Sequence, residues 1–317
     1  MEKPPEGSAS STTGTRSVSP VEVVGDATPG EIDRAVSVVI PAFNEEGHVA
    51  EQVRRLHDEL EASGWTFELI VVDDGSDDDT ASAAASTGAR VLRHTENLGY
   101  GAALKRGIDA ARHDWILIID ADGTYPVESV PDLLREAEGR DMVVGARTGE
   151  RVEVPLVRRP AKWFLRRLAG YLAGRRLPDL NSGLRLMRRS LVERYRHLLP
   201  DGFSFTTTIT LAATCNGHPV AYVPIDYRSR MGVSKIRPHH AFDFSLLILR
   251  TIVFFNPLKV FLPAGGLLAL AGGAKFAYDV AVGDLSESAV LAFLGAMVIW
   301  AVGLLADQNA RIAMSGR

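Results

Sequence analysis

A single cysteine, Cys215, stands in 317 residues. One thiol cannot build an internal disulfide framework, and such sparing use fits a reducing compartment. Positive charge is not in excess either. The formal net charge is −4, which excludes a general nucleic-acid binder held by phosphate contacts. No apolar run follows Met1, so the start of the chain does not read as a signal peptide. Residues 1–34 are rich in Ser, Thr, Pro and Gly, including "SASSTTGTRSVSP". They carry too little apolar surface to fold and are expected to form a disordered tail.

What is present is unevenly spread. Hydrophobic residues make up 46% of the chain, enough for one large domain or two ordinary ones. The mean hydropathy of +0.04 is high for a wholly soluble protein, and the excess lies near the C-terminus. Basic residues are bunched. From Arg147 to Arg189 there are twelve Lys/Arg against three acids, Glu150, Glu153 and Asp179. That block calls for an anionic partner.

From Val36 the pattern alternates. "VSVVIPAF" reads as a strand, and "HVAEQVRRLHDEL" as a helix with Val49, Val53, Leu56 and Leu60 at helical spacing. "FELIVVDD", "TASAAASTG", "ARVLRH", "GAALKRGIDAAR", "DWILIIDADG", "VESVPDLLREAE" and "DMVVGAR" continue as strand, helix, strand. Such alternation predicts an α/β domain over 35–235 with a mainly parallel, Rossmann-like sheet and right-handed crossovers. Ligands of these sheets bind outside the carboxyl ends of the strands. Asn44, Glu45, Asp73, Asp74, Asp120, Asp122 and Arg147 all fall there.

The C-terminal region differs. Residues 288–306, "SAVLAFLGAMVIWAVGLLA", run for nineteen residues without a charge, roughly the thickness of a hydrocarbon core at about 1.5 Å per residue. Residues 258–282 are interrupted only by Lys259, Lys275 and Asp279, the last two spaced to pair or to let the lysine snorkel. A buried hairpin of a soluble protein is the competing reading. Two spans of this length joined by "GDLSE" favour two transmembrane helices within 258–308, after a juxtamembrane helix over 236–257 and before a short tail, 309–317. The loop between them has no Lys or Arg, while Arg250, Lys259, Arg311 and Arg317 flank the pair. The positive-inside rule therefore predicts a multi-pass protein of the plasma membrane with its large domain and both termini cytosolic. "PAGGLLALAGGA" would permit close packing between subunits of a homo-oligomer.

Several short stretches carry chemistry. Residues i and i+2 of a strand point the same way, so Asp120 and Asp122 of "IIDADG" are expected to face one cation. Hard carboxylate oxygens in an open crevice suit Mg²⁺ or Mn²⁺ with room left for a diphosphate. Taken alone, D-x-D is more often a capping or turn feature, but here it follows a buried strand. In "VVDDGSDDD", Asp77–Asp79 read as the N-cap run of the next helix, whereas Asp73 and Asp74 sit on the strand end, able to accept from a base N–H. "LGYGAALKRG" does not complete a dinucleotide fingerprint, because Leu104 stands where a third glycine belongs; it reads as a close-approach turn opening a helix, or as packing. "PAKWFLRRLAGYLAGRR" spaces Phe164, Leu168, Tyr171 and Leu172 on one face beside Lys162, Arg166 and Arg167. Near 158–176 this predicts a basic amphipathic helix on anionic membrane lipids, with an ordinary surface helix as the bland alternative. "DLNSGLRLMRR" and "DYRSRMGVSKIRP" set Arg or Lys beside small hydroxyl residues, as phosphate contacts require.

Together, "VVIPAFNEE", "VVDDGSDD", "NLGYGAALKRG", "DADGTYP", "VVGAR", "NSGLRLMRR", "FSFTTTITL" and "YRSRMGVSKI" resemble the family-2 glycosyltransferases of GT-A fold. The likeness is to their polyprenyl-phosphate branch, which includes dolichyl-phosphate mannose synthases and bacterial polyprenyl-phosphate glucosyltransferases. It covers residues 36–240, and the hairpin resembles the two-span anchor of the bacterial members. The resemblance implies a UDP- or GDP-linked sugar donor held by Pro41, Asn44, Glu45 and Asp73 or Asp74, with help from Arg230 and Lys235. It implies Asp120 and Asp122 as the catalytic pair organising the metal and diphosphate. It implies a polyprenyl (undecaprenyl, decaprenyl or dolichyl) phosphate acceptor near Arg147, Ser182 and Arg185, with Arg159 and Lys162 as further contacts. Asp179 is expected to orient groups or act as a weak base. Processive synthases of the same superfamily carry Q-x-x-R-W; the chain has two glutamines, Gln52 and Gln308, and neither begins such an element. A glycan or glycolipid hydroxyl as acceptor, and a non-catalytic nucleotide-sugar-binding scaffold, are the alternatives. The sugar stays open among UDP-glucose, UDP-GlcNAc, UDP-galactose and GDP-mannose.

Overall fold

The computed structural model describes residues 34–148, 170, 174, 177–202, 204–227, 253–284 and 286–315. The expected tail, the basic helix near 158–176, most of the juxtamembrane segment, and Arg159, Lys162, Arg230 and Lys235 lie outside these residues.

Seven strands form one sheet: β1 (Ala35–Ala42), β2 (Thr66–Asp73), β3 (Arg90–Arg93), β4 (Trp115–Ile118), β5 (Met142–Arg147), β6 (Arg185–Arg188) and β7 (Val220–Ile225), in the spatial order β3-β2-β1-β4-β6-β5-β7. β1 pairs in parallel with both β2 and β4. All eight residues of β1 are buried, as expected of a parallel strand covered on both faces. Helix α1 (Val49–Ser63) contributes Val49, Val53, Leu56 and Leu60 to the core, each worth about 1.5–3 kcal/mol of burial. α2 (Thr80–Ala85), α3 (Tyr100–Ala110), α4 (Val130–Arg135), α5 (Arg189–Tyr195) and α6 (Phe205–Cys215) complete the domain.

The sheet is mainly parallel, as the alternation predicts, with one exception. β6 is antiparallel to both β4 and β5. It fills the gap between them with "RLMR", read above only as part of a phosphate-contact stretch. β7, also not anticipated, pairs in parallel with β5. Because β6 reverses twice over, β5 and β7 still end on the same side as β1, β2 and β4. All carboxyl ends of the parallel set, and the loop entering β6, therefore share one edge.

After the domain the chain reappears at Phe254 and Phe255. Phe255 packs edge-on against Tyr195 at 6.0 Å between ring centroids. Tyr195 Oη lies 3.0 Å from His218 Nε2, and His218 Nδ1 is 2.6 Å from Asp141 Oδ2. α7 (Leu258–Val282) and α8 (Glu287–Ser315) follow as a hairpin. Both are long and apolar enough to cross a membrane and are largely uncovered by the rest of the chain, which excludes the buried core hairpin of a soluble protein. Lys275 pairs with Asp279 as its spacing predicted. Asp279 Oδ2 also accepts from Ser286 N at 3.2 Å and Ser286 Oγ at 2.5 Å, closing the turn.

The glycine-rich stretch of α7 finds its partners inside the hairpin. A Cβ on Gly265 would stand 2.3 Å from Trp300 Nε1, and one on Gly272 would stand 2.9 Å from Ala292 Cβ. Trp300 Nε1 donates to Leu262 O at 3.2 Å. These small residues bring α8 close.

Candidate active site

The site lies along the shared edge of the sheet. Strands step about 4.8 Å apart, so the four steps from β2 through β1, β4 and β6 to β5 make this edge about 19 Å long. At its β2 end, Pro41 is buried in β1. Asn44 takes a left-handed φ of 55°, which its short polar side chain tolerates. Its N–H donates to Ser76 Oγ at 3.0 Å, and its Oδ1 accepts from Asp77 N at 3.0 Å. Glu45 N donates to Thr80 Oγ1 at 2.8 Å. In the acidic run, Asp79 is the N-cap of α2 without a side-chain capping bond, and Asp78 before it accepts from Thr80 N at 3.0 Å.

Asp73 and Asp74 divide their duties. Asp74 is buried and fully engaged. Its Oδ1 meets His94 Nδ1 at 2.6 Å and accepts from Leu98 N at 3.0 Å, and its Oδ2 accepts from Gly99 N at 2.8 Å. It pins the loop into α3. Asp73 Oδ1 accepts from Ser76 N at 3.0 Å. Its Oδ2 lies 3.0 Å from Arg93 Nε, but too obliquely for a directed hydrogen bond, and is a buried acceptor without one. Of the pair, Asp73 is the residue suited to a base N–H.

At β4 the strand ends at Ile118, and Ala121–Asp122 form a turn beyond it. The expectation that strand parity aligns Asp120 and Asp122 is therefore corrected: a turn, not a pleat, presents them. Tyr100 Oη donates to Asp120 Oδ1 at 2.9 Å. Asp122 Oδ1 accepts from Thr124 N at 3.1 Å and Thr124 Oγ1 at 2.6 Å. Among the described residues no three His, Cys, Asp or Glu side chains converge as a closed cage. Two anchored carboxylates on one turn, half-buried at a crevice mouth, instead fit a hard divalent cation that draws its remaining oxygens from water and a diphosphate. The donor set thus suits Mg²⁺ or Mn²⁺.

The loop entering β6 carries the far end of the site. Asp179 clasps Arg147 at the end of β5: Arg147 Nε donates to Oδ2 at 2.7 Å, Nη2 to Oδ1 at 2.9 Å, and the Arg147 backbone N–H to Oδ2 at 3.1 Å. Burial raises the cost of the Asp179 charge, but the Arg147 hydrogen bonds outweigh it and hold its pKa below the ordinary value. Burial likewise opposes the Arg147 charge, and Asp179 overrides it, raising the guanidinium pKa. Arg147 also lies over the ring of Tyr227 at 5.4 Å from its centroid. A carboxylate so held is a poor proton acceptor, and of the two roles expected of Asp179, orienting or weak base, the geometry fits the first: it aims Arg147.

Ser182 and Arg185 also need correction. Both are buried with no exposed surface. Arg185 Nε and Nη2 donate to Ser182 O at 3.1 and 2.7 Å, and Nη1 donates to Thr206 O at 3.0 Å and Thr210 Oγ1 at 2.8 Å. Ser182 Oγ accepts from Leu184 N at 3.3 Å. These groups shape the loop from within.

Sequence reasoning missed three tyrosines, Tyr100, Tyr125 and Tyr227. Tyr125 is buried, and its Oη accepts from Gly183 N at 2.6 Å. Burial, then the charge of Asp120, pushes its phenol pKa upward, so it stays neutral. Its ring meets Tyr227 edge-on at 5.1 Å. The "TYP" within "DADGTYP" was the available signal. The glycines of "NLGYG" form the close-approach turn that opens α3: Gly99 takes a φ of 103° at its N-cap, and a Cβ on Gly101 would stand 2.1 Å from Pro200 O.

An α/β edge with a carboxylate pair at its centre and an arginine at its far end fits a GT-A-type sugar-transfer site. The family model described as "Glycosyl transferase family 2" matches residues 37–196, and that described as "GtrB C-terminal hairpin" matches 256–312. The chain belongs to glycosyl transferase family 2, and its hairpin and relatives place it in the polyprenyl-phosphate branch. It is 33% identical over 210 residues to a dolichyl-phosphate hexose transferase of Haloferax volcanii, covering 64% of this chain and 87% of that one. It is 29% identical over 312 residues to an undecaprenyl-phosphate 4-deoxy-4-formamido-L-arabinose transferase of Enterobacter sp. strain 638, covering 90% and 91%. Among solved structures, glucosyl-3-phosphoglycerate synthase from Mycobacterium tuberculosis, in complex with Mn²⁺, UDP and phosphoglyceric acid, superposes with a TM-score of 0.53. Its identity is 27%, over 69% of this chain and 78% of that one. The protein is a membrane-associated glycosyltransferase.

Proposed function

We propose that this enzyme moves one sugar from a UDP- or GDP-linked donor to a polyprenyl phosphate at the cytosolic membrane face, with inversion and with Mg²⁺ or Mn²⁺. The donor lies along the crevice with its base toward Asp73, near Pro41, Asn44 and Glu45, and its diphosphate toward Asp120 and Asp122. UDP, Mn²⁺ and Mg²⁺ are held by solved neighbours, which supports this donor class and this choice of cation. The cation, when bound, offsets charge developing on the departing diphosphate. Arg230 and Lys235 are proposed to assist there, and Arg159 and Lys162 at the acceptor.

The observation that carries the reading is the Asp179–Arg147 clasp on the same edge as Asp120. A hydroxyl acceptor needs a general base, and the carboxylate at this end is tied into an ion pair. A phosphate monoester is already largely ionised at neutral pH, its second pKa being about 6. Arg147 orients it, a phosphate oxygen bonds to the anomeric carbon, and the bond from that carbon to the diphosphate oxygen breaks on the opposite side. One displacement inverts the centre. The two apolar helices hold the edge at the bilayer, where the prenyl tail stays in lipid.

Purified enzyme is given undecaprenyl phosphate with radiolabelled UDP-glucose or GDP-mannose, and the products are extracted into organic solvent. An organic-soluble, mild-acid-labile product is expected. An acid-stable glycolipid made from membranes would replace this reading with hydroxyl transfer, and no transfer from a full donor panel would leave a binding scaffold.

A further inference from the structure

Asp120 is gripped from three sides by residues to which nothing above gives a part in the reaction. Tyr100, the first residue of α3, donates from Oη to Asp120 Oδ1 at 2.9 Å. Gln52, buried in α1, directs Nε2 to the Asp120 main-chain oxygen at 3.4 Å, a longer and weaker contact. Gly183 supplies the third side: a Cβ there would stand 2.5 Å from Asp120 Oδ2 and 2.8 Å from both Cγ and Oδ1. The carboxylate therefore rests against the bare Cα of Gly183. We propose that Tyr100 is the positioning residue for Asp120, fixing the rotation of its carboxylate above Gly183, while Gln52 steadies the main chain of the same turn.

Physical reasons favour a positioning role over simple packing. Asp120 lies past the end of β4, and a residue beyond a strand keeps more freedom than one within it. A carboxylate that is to meet a cation and a diphosphate in one geometry gains from losing that freedom beforehand. Tyr100 is held in turn. Gly99 N bonds Asp74, and Ala102 N donates to Asp201 O at 3.0 Å. The start of α3 is thus pinned on both sides of the tyrosine.

The inference rests on the proposed metal role of Asp120. Its test uses full-length enzyme in detergent micelles and reads binding of Mn²⁺, alone and with UDP or GDP, by the loss of the free-ion electron paramagnetic resonance signal. Tyr100→Phe is expected to weaken Mn²⁺ binding about tenfold, the effect of losing one hydrogen bond to a charged group, with its melting temperature within about 2 °C of wild type. Gln52→Met should weaken binding by a smaller factor. Gly183→Ala, which leaves Tyr100 in place but pushes the carboxylate aside, should weaken it at least as much as Tyr100→Phe. If Tyr100→Phe fails to fold, Gly183→Ala and Gln52→Met decide. Unchanged Mn²⁺ affinity in Tyr100→Phe, or in both other variants, overturns the positioning role. Wild-type enzyme that binds no Mn²⁺, like Asp120→Asn, overturns the metal reading itself and the inference with it.

Discussion

Arg147 and Asp179 face one another through two parallel charge-assisted hydrogen bonds, 2.7 and 2.9 Å long, with a third from the Arg147 backbone. The fork-on-fork geometry fixes the plane of the guanidinium. Replacing Asp179 with Asn should leave the arginine charged but poorly aimed. The acceptor KM should rise on the order of tenfold or more while the donor KM changes little, and stability should fall by about 2 kcal/mol for a partly buried pair. Steady-state kinetics against each substrate, with chemical denaturation, check both. A matching rise in donor KM would reverse the assignment of the two ends.

The same pair sets an acid limit. The folded-state pKa of Asp179 lies below its unfolded value because Arg147 outweighs burial. Its contribution to stability is therefore present above the unfolded carboxylate pKa and is lost as pH falls through the folded one. Between pH 5 and 8 the pair should contribute a constant amount, fading only below about pH 4. Melting temperatures across that range should fall more steeply with acid in wild type than in Asp179→Asn. Equal slopes would mean that the pair adds nothing net.

Asp122→Ala should lower turnover at least about a thousandfold and leave the fold intact, since Asp122 is half-buried at the sheet edge and its bonds to Thr124 N and Oγ1 are local to its own turn. Chelation should do the same to wild type and be reversed by Mg²⁺ or Mn²⁺. Full turnover in metal-free buffer would contradict the cation's role.

Arg185→Met should act on stability. Its guanidinium bonds Ser182 O, Thr206 O and Thr210 Oγ1 with no exposed surface, so loss of these bonds should cost about 3 kcal/mol, or about 6–12 °C in melting temperature. Whatever protein folds should keep its acceptor KM within about threefold. A large KM change without a melting change would return Arg185 to the phosphate site.

In the hairpin, Gly265→Val should be resisted and Gly266→Val accepted. A side chain at 265 meets the Trp300 indole, while one at 266 meets nothing within 4 Å. Overpacking should cost about 1–3 kcal/mol at the first site only, measured as thermal stability in detergent.

Much of this was legible in the residues because it is local. The periodicity of Val49, Val53, Leu56 and Leu60, the apolar strands before Asp73 and Asp120, and the two long uncharged runs each follow from a few consecutive side chains. They determined the α/β class, the edge on which ligands bind, and the hairpin. What escaped depends on pairs distant in the chain. A four-residue strand, Arg185–Arg188, has no period of its own and exists because β4 and β5 leave a gap that hydrogen bonds must fill.

The same distance in sequence separates the roles of like residues. Asp73 and Asp74 are adjacent, yet His94, Leu98 and Gly99 fold back to occupy only the second. Arg147 and Arg185 look alike in the basic block, yet Asp179 holds one at the crevice while Thr206 and Thr210 hold the other inside. Chemistry of side-chain type is written in the sequence; whether a charge meets water, ligand or protein is set by what packs on it, and only the tertiary fold decides that.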